Sequence, residues 1–489
     1  MDLLGPTCGT VDRLALHAAH PLPIAEVRPA FAEPAECIPH AALARQQGVD
    51  GSYTETRETT HFLLAWDPAN TVLDAATLDT AAAALETSWD VEVTEHGWNA
   101  PDQTDTCLIT VLLVDLSGGD SGTGGWTDVN EVGGVPYIVL NTDWFAESDD
   151  WTNTLVAHEF NHASQFAYGV FNEEDDWWYW ESTAEWSTEL VFPEANAWNY
   201  SLWAYFDNPG YAWKSQRGLV NYGHFTFNIV LTEQVDEAAP LRTWQAATAE
   251  GDVPTALTTA LDTDLDTLLV EYTEHAASMD VAERDAWIDT EAEFEVDPYT
   301  LSLAKYPAHG SRNGKSAPEG RGQNFVHLAG DPGGDLVFDF TGDNAADGTD
   351  PRWAVTLSTL AEDGSFTHSS QLAEGGATSV RISDLGAGVT DAYLGVIPLA
   401  DVGETSVGWT YTVAPAQAHD PEPVACGCSA GEGSAAAGVG IAGLVAVIGR
   451  RRKGDTPRRP RRARSESGRG VEHEPTDAVL QQGHIEVQE

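Results

Sequence analysis

Positive charge is scarce in this 489-residue chain. Residues 1–449 hold three lysines, Lys214, Lys305 and Lys315, and 14 basic side chains in all against 70 acidic ones. A body carrying about 56 net negative charges repels phosphates, which excludes nucleic-acid or anionic-membrane binding by that part of the chain. Methionine is almost missing, with Met1 and Met279 the two copies. Long apolar runs are missing as well: Ala435–Gly449 has 15 residues and falls short of a stable bilayer span. Met1–His40 contains neither a basic n-region nor a continuous apolar h-region, so no secretory signal is visible in it. The five cysteines leave the redox compartment open: Cys8 could pair with Cys37, whereas Cys107 opens an apolar run and reads as a buried free thiol. Aromatic residues are plentiful. Seventeen Trp, 15 Phe and 13 Tyr can build a sizeable core, which excludes a disordered acidic chain. The acidity then either keeps a folded protein monodisperse or suits saline surroundings, where counterions screen self-repulsion.

Hydrophobic patterning divides the chain. Residues 1–50 form a Pro- and Ala-rich lead-in. His61–Trp66 reads as a strand, Asp74–Trp89 as an Ala-rich helix, and Cys107–Leu116 and Val135–Leu140 as strands on either side of a Gly-rich turn, Ser117–Gly125. Asp149–Gly169 reads as a helix that Asp149, Asp150 or Thr152 could cap, and Asp175–Leu190 as a second. Tyr222–Thr232, Leu241–Ala249 and Leu265–Met279 continue the helical pattern. Strands followed by helices indicate an α+β domain over 51–295. Beyond it, short β-type runs (Phe325–Leu328, Asp335–Phe340, Trp353–Leu360, Thr378–Ile382, Ala392–Ile397 and Trp409–Val413) alternate with Gly/Asp/Asn turns and predict an all-β sandwich over 298–414. Residues 415–453 are a linker, Cys426-Gly-Cys428, the apolar run and an Arg cluster; 454–489 reads as a disordered tail.

The chemistry concentrates in His158-Glu-Phe-Asn-His162, which falls inside a predicted helix. Residues i and i+4 share a helix face, so both imidazoles can point at one ion, and zinc is well served by neutral imidazole. Glu159 projects beside the ion, where a base for an activated water belongs. Glu181, after 18 intervening residues beyond His162, completes a His₂Glu set, with Glu185 on the same face as a rival ligand or as the acceptor for the second ring N–H of a ligand histidine. Both carboxylates also fit a solvated helix face in so acidic a protein. Trp177, Trp178, Trp180 and Trp186 beside them read either as core or as a substrate platform.

His158-Glu-Phe-Asn-His-Ala-Ser-Gln165 followed by Trp178-Tyr-Trp-Glu-Ser-Thr-Ala-Glu-Trp186 resembles the gluzincin metallopeptidases, and more narrowly a myxobacterial metalloprotease family. The likeness spans roughly residues 55–290. It implies a zincin-like fold, a catalytic Zn²⁺ on His158, His162 and Glu181, Glu159 as general base, and Glu185 holding a ligand histidine. A G-A-M-E-N-type exopeptidase motif is missing, which favours an endopeptidase. Gln165 and Tyr168 stand where a metzincin has its Gly and third His, which excludes that group. For the oxyanion donor, Tyr222 in Asn221-Tyr-Gly-His-Phe225 comes first and His224 second, with ordinary packing the competing account of Tyr222. Gly124-Gly-Trp-Thr127 and Val135–Leu140 could supply an edge strand for an extended peptide. Asp262, Asp264 and Asp266 resemble the start of a Ca²⁺ loop but lack its Gly and terminal Glu, and helix capping accounts for them better. The Cys426/apolar/Arg segment resembles the sorting signal of myxobacterial surface proteins, implying export to the cell surface of a Gram-negative bacterium with transient membrane association. The expected protein is a monomeric, exported zinc endopeptidase acting on protein or peptide. The rival is a surface-displayed binding or adhesion protein whose peptidase-like domain is inactive.

Overall fold

The computed structural model describes residues 7–8, 37, 39–47, 49, 51–116, 123–129, 135–196, 199–294 and 296–416. Most of the lead-in, residues 117–122 of the Gly-rich turn, Cys426 and Cys428, the sorting segment and the tail lie outside them. The described architecture is α+β.

A six-stranded sheet comes first, from β1 (Thr7–Cys8), β2 (Glu55–Glu58), β3 (Phe62–Trp66), β4 (Ile109–Val114), β5 (Thr123–Val129) and β6 (Pro136–Asn141), in the spatial order β1-β5-β6-β4-β3-β2. β3, β4 and β6 are mutually parallel and almost wholly buried, as their unbroken apolar runs require when both faces are covered. One face packs Phe62, Ile109, Val111 and Leu140 against α2 (Ala75–Ser88) and α3 (Asp149–Phe166). Leu112, Val114 and Val139 of the other meet α1 (His40–Gln46) and Tyr53. β5 runs antiparallel to β6, and the short β1 lies parallel along its outer side.

The helical layer that follows holds α4 (Trp177–Val191), α5 (Asn199–Asp207), α6 (Val220–Gly223), α7 (Phe225–Val230), α8 (Ala239–Ala246), α9 (Val253–Leu261), α10 (Leu265–Ser278) and α11 (Arg284–Glu293). Its core is aromatic, built on Trp178, Trp180, Trp213, Trp244 and Trp287. Strands β7 (Tyr299–Leu303), β8 (Ala308–Arg312), β9 (Asn324–Ala329), β10 (Leu336–Gly342), β11 (Trp353–Ala361), β12 (Phe366–Leu372), β13 (Ala377–Ile382), β14 (Val389–Pro398) and β15 (Trp409–Pro415) form two sheets, β13-β10-β15-β8 and β12-β11-β14-β9-β7. These sheets share a core that includes Phe338, Trp353, Leu394 and Trp409. Phe325, Ala354, Tyr393 and Ile397 instead face the helical core, so the helices and the second sheet are packed together. Among the described residues no helix is long and apolar enough to cross a membrane.

Several expectations need correction. Cys107 is not a free thiol: it is disulfide-bonded to Cys37, whose segment is brought to the start of β4, and Cys8 is therefore not the partner of Cys37. Apolar neighbours predict burial, which Cys107 has, but cannot show a partner 70 residues away. The α3 cap is Ser148, whose hydroxyl accepts from the Trp151 N–H. The expected Tyr222–Thr232 helix is broken at His224 and ends in a π-turn at Leu231–Val235. The Gly-rich stretch from Thr123 onward is strand, not turn. The helix capping expected of the Asp262–Asp266 run is present: Asp264 caps α10 by accepting from Thr267, Asp262 ends α9 in the left-handed conformation, and Asp266 pairs with Arg352.

Candidate metal centre

Helices α3 and α4 cross so that their i, i+4 pairs face each other. His158 Nε2 lies 3.2 Å from His162 Nε2 and 3.2 Å from Glu181 Oε2, and His162 Nε2 lies 3.6 Å from Glu181 Oε2. Tetrahedral ligands about 2.0–2.1 Å from one ion stand about 3.3–3.4 Å apart, so this triangle already has the dimensions of a zinc site. The other Glu181 oxygen, Oε1, is buried without a hydrogen-bond partner, a cost that a coordinated cation would offset. The donor set and its geometry fit zinc.

The outward ring nitrogens are fixed by acceptors. His158 Nδ1 lies 3.2 Å from Glu185 Oε2, and Glu185 Oε1 accepts from Ser201 Oγ at 2.5 Å. A carboxylate can only accept, so Nδ1 carries the proton and Nε2 faces the centre. Glu185 thus sits behind the His158 ring, and Glu181 faces its Nε2. His162 Nδ1 lies 2.7 Å from Gln165 Oε1; Gln165 Nε2 donates to Asn161 Oδ1 at 2.7 Å and to the Trp180 carbonyl at 3.1 Å. Asn161 Nδ2 in turn donates to Glu92 Oε2 at 2.8 Å. Burial raises the Glu92 pKa well above the ordinary carboxylate value, against the Asn161 hydrogen bond and the His158 charge. Gln165 is legible in hindsight as i+3 from His162, whereas Glu92, 69 residues from Asn161, carries no sequence signal.

Glu159 stands outside the triangle. Thr127 Oγ1 on β5 donates to its backbone carbonyl at 2.7 Å and to Oε2 at 2.9 Å. Burial raises the Glu159 pKa, partly offset by the His162 and His158 charges, which makes it a better proton acceptor than a free carboxylate. At Gly125 a Cβ would come within 2.6 Å of the Val139 carbonyl oxygen and 3.0 Å of Glu159 Oε1, so the close seating of Glu159 against β5 requires glycine.

The Tyr222 ring stacks on that of His158, with centroids 6.0 Å apart and planes 16° apart. His224 instead points into the aromatic core against Trp178 and Tyr205, where burial drives its pKa down to about 3. It is a neutral core imidazole and not a second oxyanion donor. Trp177, Trp178, Trp180 and Trp186 are core residues. The whole centre is enclosed: Glu159, His162 and Glu181 are 0% exposed, Glu185 1%, His158 4% and Tyr222 5%. A cavity of about 510 Å³ lies elsewhere, among Trp213, Lys214, Arg217, Arg321 and Asp401.

The chain belongs to the DUF6055 family, a family of unknown function, whose profile matches residues 32–397. No curated protein matches it.

Proposed function

We propose that this protein is an exported zinc endopeptidase of gluzincin type, with a zincin-like catalytic region over 51–295 and a β-sandwich accessory region over 298–414. The observation that carries the reading is the triangle of His158 Nε2, His162 Nε2 and Glu181 Oε2 with Glu159 beside it. Bound there, zinc supplies Lewis acidity to a scissile carbonyl and acidifies water. Glu159 takes a proton from the attacking water and passes it to the leaving amine, held in position by Thr127. Tyr222, stacked on His158, is the donor for the developing oxyanion. Glu185 and Gln165 keep the two imidazoles in the required tautomer.

Enclosure of the centre supports reading the described conformation as a latent one. β1 lies along the outer side of β5, the strand that touches Glu159, and so occupies the edge an extended peptide would pair with. The lead-in over residues 1–50 then acts as a prosegment. The Cys37–Cys107 disulfide fits an oxidising compartment and supports export, and the 426–453 segment is read as the sorting signal that delivers the protein to the surface. The test is hydrolysis of denatured casein by protein freed of its N-terminal segment, compared with Glu159→Gln. Glu159→Gln should keep one zinc at this centre and lose hydrolysis. Survival of activity in that variant sinks the mechanism. The enclosure also favours a second reading, a surface binding protein with an inactive centre, and zinc retention with no cleavage after prosegment removal selects it.

A further inference from the structure

A second pair of histidines meets a carboxylate where α10 runs out beside the edge strand β12. His275 sits in the last turn of α10, whose end is a left-handed Met279. The turn brings Asp280 back under His275, and β12 delivers His368 from the sandwich. One donor atom from each of the three lies within 4.8 Å of the others.

The hydrogen bonds around the trio dictate which nitrogens face it. His275 Nδ1 lies 2.9 Å from the Asp280 carbonyl oxygen, which can only accept, so Nδ1 is protonated and Nε2 holds the lone pair of the neutral ring. His368 Nδ1 lies 2.7 Å from Ser358 Oγ, whose hydrogen goes to the Glu274 carbonyl at 2.9 Å. Ser358 therefore accepts from His368, and the His368 lone pair is at Nε2, 2.9 Å from Asp280 Oδ2. A neutral His368 would set a lone pair against a carboxylate; the clash is relieved by a proton or by a cation that both atoms bind. The rings stand 4.4 Å apart at 40°. His368 thus has its rear nitrogen committed and its front nitrogen turned towards the carboxylate, the pattern of a ligand with an outer-shell partner, whereas the His275 nitrogen beside that carboxylate is Nδ1, 3.6 Å from Asp280 Oδ2. His275 is buried, while His368 and Asp280 are partly exposed, which leaves a path for an ion and room for water to complete its coordination.

We propose that His275, Asp280 and His368 form a second metal site, for a divalent transition ion of the zinc class, that fastens the helical layer to the sandwich. Two imidazoles and one carboxylate suit such an ion better than Mg²⁺ or Ca²⁺. His275 and Asp280 belong to the helical layer and His368 to the sheet, so the ion bridges elements 88 residues apart in the chain. The site is independent of catalysis.

The test is zinc stoichiometry and calorimetry on the metal-stripped, untagged full chain, with His162→Ala to remove the first centre and His368→Ala to remove the second. Wild type should bind two equivalents, each single variant one, and the double variant none. In the His162→Ala background zinc should raise the melting temperature, an effect that His368→Ala abolishes. Asp280→Asn, at a partly exposed position, provides the same comparison should His368→Ala fail to fold, and Glu181→Gln replaces His162→Ala likewise. Two equivalents retained by both His368→Ala and Asp280→Asn would overturn the proposal. So would binding of Ca²⁺ in preference to zinc, or no zinc bound by the first-centre variant. That variant reports on the second site alone, whatever the first centre does.

Discussion

Zinc binding to the metal-free protein at pH 8 should expel a proton from His158, besides the one that an acidified zinc-bound water gives up. Burial by itself would discharge this imidazole. Hydrogen bonds and charge from Glu181 and Glu185 outweigh burial and raise its pKa to about 10. Glu181 supplies no proton, because the charge of His162 and the hydrogen bond from His158 overcome burial and hold it at about 2. At pH 8 the His158 imidazolium must give up its Nε2 proton before that nitrogen can bind metal, which costs about 3 kcal/mol for two pH units. The logarithm of the apparent affinity should rise by about one per pH unit between about pH 7 and 10, then flatten. The same charge stabilises the metal-free fold: its contribution is complete below the ordinary histidine value and is lost as pH rises through about 10. Calorimetry in buffers of different ionisation enthalpy counts the protons, and a His368→Ala background confines the measurement to this centre. Glu185→Gln removes one of the two carboxylates, so the sloping region should move to lower pH. Affinity above it should weaken about 10- to 100-fold. No proton released at pH 8, with a flat pH profile, would refute the reasoning.

Three further outcomes follow from the structure. Reducing the Cys37–Cys107 disulfide, which closes a 70-residue loop, should lower stability by about 4 kcal/mol in urea unfolding; an unchanged midpoint would count against the pairing. Gly125→Ala forces a Cβ into the Val139 carbonyl and against Glu159, and should cost about 1–3 kcal/mol. It should also slow hydrolysis with zinc stoichiometry unchanged; full activity would show that the contact between β5 and Glu159 is dispensable. Burial, reinforced by the Asp252 and Asp175 charges, raises the Asp176 pKa to about 6 despite the Val253 hydrogen bond and Lys214, and burial raises Glu233 to about 7. Carboxyls with raised folded values stabilise while protonated, and that stability is lost as pH climbs through those values. The metal-free protein should therefore melt at lower temperature at pH 8 than at pH 5 in the same salt, and a higher melting temperature at pH 8 would contradict these assignments.

The local parts of the structure were readable from sequence, and the parts made by distant segments were not. His158 and His162 declare their shared face through i, i+4 spacing, and β4 and β6 declare burial through unbroken apolar runs. Glu181 is found by spacing alone, because the turn between α3 and α4 is short enough to keep the helices adjacent. Thr127 and Ser201 join Glu159 and Glu185 through tertiary packing, which leaves no periodic trace. His224 shows the opposite failure: its place in a promising motif says nothing of its direction, and the helix break there turns it into the core. His275 and His368 leave no mark in the sequence for the same reason, being 93 residues apart and joined only by the fold.

The Cys37–Cys107 bridge gives the place of a backbone cut its meaning. A nick between Cys8 and Cys37 separates the piece bearing β1 from everything covalently fastened to the start of β4, and that piece can diffuse away. A nick shortly after Cys37 leaves the same piece tethered through sulfur, still at high local concentration beside β5. A cut of the first kind is irreversible, whereas the second kind yields a two-chain species that reducing agent alone can open. Two proteases acting a few residues apart would thus produce different proteins from one chain.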